Sequence, residues 1–148
     1  MNIFDPIRNK LVAATPEEIL RQNLLQFMIK ELAFPKSLLC VEKDLAQLPH
    51  LKEKKHLLPI RRVDLLCFAK DLHPEFPLYP LLIVECKACR LTEETEKQVV
   101  GYNHFVGSYF VAIAAEGQIK TFWYSEKLKK YDSVDFLPSY KQLLAALK

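Results

Sequence analysis

Ile19, Leu20, Leu24, Phe27, Met28 and Leu32 recur at the spacing of one helical face, which predicts an amphipathic helix over about 16–33. Thr15-Pro16-Glu17-Glu18 supplies its start: Thr15 as N-cap, Pro16 at the first helical position and Glu18 completing a capping box. Phe34-Pro35-Lys36 ends it, and Ser37 to Leu45 reads as a strand with Leu39 and Val41 on one face. A polar connection from Ala46 to Pro59 follows. Two apolar runs come next, Arg61–Phe68 and Leu81–Ala88, separated by a loop carrying Pro74, Pro77 and Pro80. Thr92 caps a second helix that Gly107 stops. Tyr109–Ala115 and Ile119–Tyr124 flank a turn at Ala115-Glu116-Gly117-Gln118 and read as a hairpin. Ser125 to Asp135 is polar, and a last helix over about 137–147 carries Tyr140, Leu143, Leu144 and Leu147. The order helix, strand, strand, strand, helix, strand, strand, helix predicts an α/β domain.

The two central strands break their own pattern. Asp64 sits early in the first, and Glu85 and Lys87 interrupt the second after four apolar residues. Alternation puts Ile83, Glu85 and Lys87 on one face and Leu82, Val84, Cys86 and Ala88 on the other. Charges on a buried strand are costly unless paired or bound to metal. Two carboxylates can hold Mg²⁺ or Mn²⁺, a hard cation that prefers oxygen ligands and keeps several waters. Such an ion acidifies a bound water and offsets charge growing on a phosphate, and a neighbouring lysine can orient that water. The plainer reading is a surface Glu85–Lys87 ion pair beside an unrelated aspartate.

Composition adds bounds. The 148 residues are half hydrophobic and 26% charged, which suits one globular domain over 1–148. No apolar run approaches a membrane span, and Met1-Asn2-Ile3-Phe4 lacks the regions of a signal peptide, so the expected setting is the cytoplasm with reduced cysteines. Cys86-Lys87-Ala88-Cys89 has a CxxC spacing, but no second ligand pair accompanies it, and Cys86 lies inside the strand pattern, so buried small hydrophobes are the preferred reading. The net charge is only +3, yet Lys52, Lys54, Lys55, Arg61 and Arg62 cluster ahead of Asp64. Such a run is either a solvated loop or a contact for phosphates. Gln98 and Tyr102 share a helical face on the helix that leaves the Glu85 strand, either as an ordinary half-exposed pair or beside the site. Glu18 is either a cap or a carboxylate aimed at that site.

The ordered pieces Pro16-Glu17-Glu18-Ile19-Leu20-Arg21-Gln22, Phe34-Pro35-Lys36, Val41-Glu42-Lys43, Arg61-Arg62-Val63-Asp64, Leu82-Ile83-Val84-Glu85-Cys86-Lys87, Thr92-Glu93-Glu94-Thr95 and Gln98-Val99-Val100-Gly101-Tyr102-Asn103 resemble the PD-(D/E)xK nuclease superfamily. More narrowly, they resemble the N-terminal nuclease domain of type I restriction enzyme R subunits and its small stand-alone relatives, over roughly residues 15–124. The resemblance implies a restriction-endonuclease-like three-layer fold, a central mixed sheet flanked by helices, and Mg²⁺-dependent hydrolysis of DNA in restriction–modification. It implies Asp64 and Glu85 as metal ligands, Lys87 as the catalytic lysine, Glu18 (less so Glu17) as the helix-one glutamate beside the metal, and Gln98 and Tyr102 as a QxxxY element supporting DNA engagement. Arg61 and Arg62 would join them in holding DNA. Val63 stands where the superfamily has proline, and the phosphate-binding glycine loop of a translocase motor is missing. A DNA-binding or partner-dependent module without cleavage of its own is the alternative, with a second copy or a helicase or translocase as partner.

Overall fold

The computed structural model describes residues 1–148. Its centre is a six-stranded sheet in the order β3-β4-β5-β6-β7-β8, formed by Leu39–Asp44, Arg62–Lys70, Leu78–Cys86, Phe110–Ala115, Gln118–Ser125 and Lys130–Val134. β5 and β6 run parallel and every other neighbouring pair is antiparallel. The parallel pair needs a crossover, and helix α2, Glu93–Val106, provides it. A separate hairpin, β1 (Asn2–Asp5) with β2 (Lys10–Ala13), precedes helix α1, Pro16–Lys30, and helix α3, Tyr140–Ala146, closes the chain.

Alternation along the strands splits the core into two layers. Leu65, Cys67, Leu82, Val84, Ala112 and Ala114 face Leu24, Leu25 and Met28 of α1 and Leu143 of α3. Leu66, Phe68, Ile83, Val111 and Ile113 face Val99, Tyr102 and Val106 of α2. The result is helices, sheet, helix: the three-layer α/β architecture with a mixed sheet that the resemblance implies.

The local signals at the helix ends hold. Thr15 accepts from the Glu18 N–H at 3.2 Å, Thr92 accepts from Thr95 N–H at 3.1 Å, and Gly107 ends α2 in the left-handed region at φ +72°. A Cβ at Gly107 would lie 2.8 Å from the Tyr79 hydroxyl, so both conformation and space favour glycine there. Helix α1 is shorter than its periodicity predicts. It stops at Lys30, and the Phe34 N–H closes back on the Met28 carbonyl at 3.0 Å before Pro35.

Three other segments differ from expectation. Residues Pro49–Leu57 are not a solvated loop but a run of tight 3₁₀ turns that buries Leu48 and Leu51 against the α2 layer. His50 is built into that packing, its ring 4.8 Å from Tyr79 and its Nε2 2.6 Å from the Val106 carbonyl oxygen. The loop does not reach Pro80, because β5 begins at Leu78 and takes Pro80 into the sheet opposite Phe68 at a register shift. The polar stretch after Ser125 contains an edge strand, β8.

Candidate functional site

The ladder between β4 and β5 pairs Leu66 with Ile83 and Leu65 with Val84. One step further along, the same register sets Asp64 against Glu85. There the backbone ladder gives way to a side chain: the Cys86 N–H donates to Asp64 Oδ2 at 2.8 Å. The other Asp64 oxygen faces Arg21 of α1, Nη1 to Oδ1 being 3.5 Å. Asp64 is therefore held from two sides while its carboxylate stays partly exposed, at 28%.

Glu85 is in a different situation. It shares the Ile83 face and is 4% exposed. Its Oε2 is 3.9 Å from Arg61 Nη2, and its Oε1 is buried with no partner. Burial first, then the negative charge of Asp64, push the Glu85 carboxyl well above the usual range. Arg61 and Lys87 pull the other way without compensating. Lys87 is half-buried just past the end of β5, its N–H donating to the Ala114 carbonyl at 2.8 Å. The Arg61 guanidinium lies 3.8 Å above the centre of the Tyr102 ring. The Tyr102 hydroxyl is buried without a partner, and burial, then the Glu85 charge, raise its pKa.

Glu18 is neither a free carboxylate nor a reciprocal cap. The Thr15 N–H is taken by the Ala13 carbonyl, and the Glu18 side chain turns inward. It accepts from Arg8 on one oxygen and from Arg21 on the other, with Gln22 Nε2 at 3.2 Å. The same two guanidiniums reach Glu42: Arg8 Nη1 to Oε2 is 3.0 Å and Arg21 Nη2 to Oε1 is 3.2 Å. Glu42 sits mid-strand in β3 with a left-handed backbone, φ +51°, where a side chain is strained by about 1 kcal/mol. Arg8 comes from the tip of the β1–β2 hairpin, anchored by Asp5 at 2.5 Å. These side chains and Asp64 line one cavity of ≈ 250 Å³.

The structure thus brings Asp64, Glu85, Lys87, Tyr102, Arg61 and Glu18 around one end of β4 and β5. Gln98 is exposed one turn before Tyr102 on α2, and Arg62 turns aside to Asp44, Nε to Oδ1 being 3.1 Å. The reading of the residues did not single out Arg8, Arg21 or Glu42 for the site. The adjacency of Glu18 and Arg21, three apart on a helix, was the signal for the second of them. Nothing local pointed to Arg8.

The donor set suits a hard divalent cation. Two carboxyls meet across adjacent strands, one with an orphan buried oxygen, and the nearest cation to that side is 3.9 Å away. No group of three or more His, Cys, Asp or Glu side chains gathers closely enough to hold an ion without help, so such an ion would keep much of its own water. All four cysteines are free, with burial pushing the Cys67 thiol up to about 12, so neither it nor Cys86, raised further still, is a reactive thiolate.

The family model described as type I restriction enzyme R protein N terminus matches residues 16–138. No curated protein and no solved structure matches the chain. No helix is long and apolar enough to cross a membrane.

Proposed function

The chain belongs to the family of type I restriction enzyme R-protein N-termini, and from that premise we propose that it hydrolyses DNA phosphodiesters with a divalent metal ion, Mg²⁺ or Mn²⁺, held by Asp64 and Glu85. The observation that supports this most is the meeting of those two carboxyls at the open end of the β4–β5 ladder, with one Glu85 oxygen left unpaired in the interior. A buried polar atom without a partner costs on the order of 1–3 kcal/mol, and sites of function are where such costs are tolerated. When bound, the ion supplies an acidified water and neutralises charge on the phosphate.

The chain's own side chains do the rest. Lys87, beside Glu85 and open to solvent on one side, positions its ammonium toward the attacking water and the non-bridging phosphate oxygens. Arg61, stacked on Tyr102 and 39% exposed, holds the phosphate backbone at the lip of the site. The Tyr102 hydroxyl, protonated and unpartnered, is a spare donor beneath it. Exposed Lys52, Lys54 and Lys55 extend the contact along the backbone without reading sequence.

The second reading is a DNA-binding or partner-dependent module. It is favoured by one observation: both Asp64 oxygens already have partners, the Cys86 N–H and Arg21. A second copy of the chain or a helicase or translocase subunit would then complete the reaction.

Calorimetry with Mn²⁺ and plasmid cleavage, run on the same samples of wild type and Asp64→Ala, tests the choice. The nuclease reading expects binding and cleavage in wild type and at least a hundredfold loss of both in the variant. Binding without cleavage moves the assignment to the second reading. Absence of ion binding in wild type, with DNA present, removes Asp64 and Glu85 as a metal site.

A further inference from the structure

The feature that the nuclease reading leaves unused is the pair of arginines beside Asp64. Every carboxylate oxygen of Glu18 and Glu42 accepts from one of them: Glu18 Oε1 and Glu42 Oε2 from Arg8, Glu18 Oε2 and Glu42 Oε1 from Arg21. Arg8, Arg21 and Glu18 are enclosed, at 16%, 9% and 6% exposed, and Glu42, at 36%, closes the outer side. Arg21 also reaches Asp64. It therefore sits between Asp64 and the two glutamates, and with Arg8 it leaves no Glu18 oxygen free for an ion.

We infer that the Arg8–Arg21 pair occupies the position of a second cation, so that this site takes one divalent ion, at Asp64 and Glu85, and Glu18 is not a ligand to it. The inference rests on the metal-dependent reading above.

Charge supports it. Arg8 and Arg21 bring to Glu18 and Glu42 the two positive charges that a divalent ion would otherwise supply there. Geometry supports it as well. Two-ion phosphoryl sites place their ions about 3.5–4 Å apart across shared carboxylates. Here a planar guanidinium, which cannot lose its proton, already faces Asp64 Oδ1, the oxygen that the Cys86 N–H does not take. The family match begins at residue 16, so the Arg8 half comes from a hairpin outside the matched region. Arg8 acts through Glu18 and Glu42 and is a positioning residue.

The test is the stoichiometry of Mn²⁺ binding to the full chain, by calorimetry and by electron paramagnetic resonance, with circular dichroism checking the fold of each variant. Wild type binds one ion. Arg8→Gln, which frees one oxygen on each of Glu18 and Glu42, binds two, and Arg8→Lys, which restores the charge, returns to one. Glu18→Gln in the otherwise unchanged chain alters the dissociation constant of the first ion by less than threefold. Two ions in wild type, a single ion in natively folded Arg8→Gln, or a tenfold weakening in Glu18→Gln would each overturn the inference. Should Arg8→Gln fail to fold, the Glu18→Gln measurement decides alone. No ion bound by wild type overturns the metal-dependent reading itself, and this one with it, whereas the preceding outcomes leave that reading standing.

Discussion

The two sides of the site solve the same electrostatic problem in opposite ways. On the α1 side, three carboxylates, Glu18, Glu42 and Asp64, are tied by Arg8 and Arg21, and each Glu18 oxygen has a guanidinium. On the α2 side, Glu85 and Tyr102 are buried with unpaired oxygens, and the nearest cation to Glu85 is 3.9 Å off. Enclosed charge that is paired is part of the scaffold, and removing one partner leaves the other stranded. A buried carboxyl or hydroxyl oxygen without a partner works against the scaffold and is available to something that binds. The contrast separates a side whose carboxylates are satisfied from one that keeps buried oxygens open, although the two sides meet at one aspartate.

The largest expected effect is on the paired side. Arg21→Ala should lower the unfolding free energy by about 3 kcal/mol in a urea melt, because it strips Glu18 and Glu42 of one guanidinium and Asp64 of its only one. A loss under about 1 kcal/mol would mean that this cluster is not structural. Glu85→Gln should do the reverse. Without metal it should stabilise the domain by about 1 kcal/mol at pH 8, while ion binding is lost.

The sign of that second effect carries a pH dependence. The folded-state value of Glu85 lies above its unfolded one, so the stability it contributes is complete below the usual 4.5. It is lost as pH rises through the folded value, about 8. Metal-free wild type should therefore weaken across that window, and Glu85→Gln should flatten the curve. A wild-type curve already flat from pH 5 to 8 would contradict the burial of an unpaired carboxyl. Tyr102→Phe is the mildest probe. It removes a hydroxyl with no partner and keeps the ring under Arg61, so stability should move by less than about 0.5 kcal/mol, while DNA cleavage should fall roughly fivefold. Unchanged cleavage would make Tyr102 a packing residue only.

What could be seen from the chain alone followed the range of the interactions. The caps at Thr15 and Thr92 and the stop at Gly107 were legible because each involves partners within a few residues. Asp64 and Glu85 stood out because they interrupt apolar strands. The edge strand β8 escaped, since Lys130, Tyr131, Asp132, Ser133 and Val134 carry no buried face to give a period of two. The leucines at 45, 48 and 51, three apart, were a missed sign that residues 49–57 fold against the core.

The sequence by itself determined the α/β class and the order of the elements from α1 to β7, because alternation and helical spacing are written locally, and its short motifs carried the family resemblance. It also marked Asp64 and Glu85, because each puts a charge into an apolar run, whereas the β4–β5 register that sets them opposite each other belongs to the tertiary fold. Only the tertiary structure decided which of those carboxyls are neutralised. Arg8 meets Glu18 and Glu42 across 10 and 34 residues, and no local pattern encodes contacts of that kind. Whether an enclosed charge is scaffold or site depends on which distant cation the fold delivers to it.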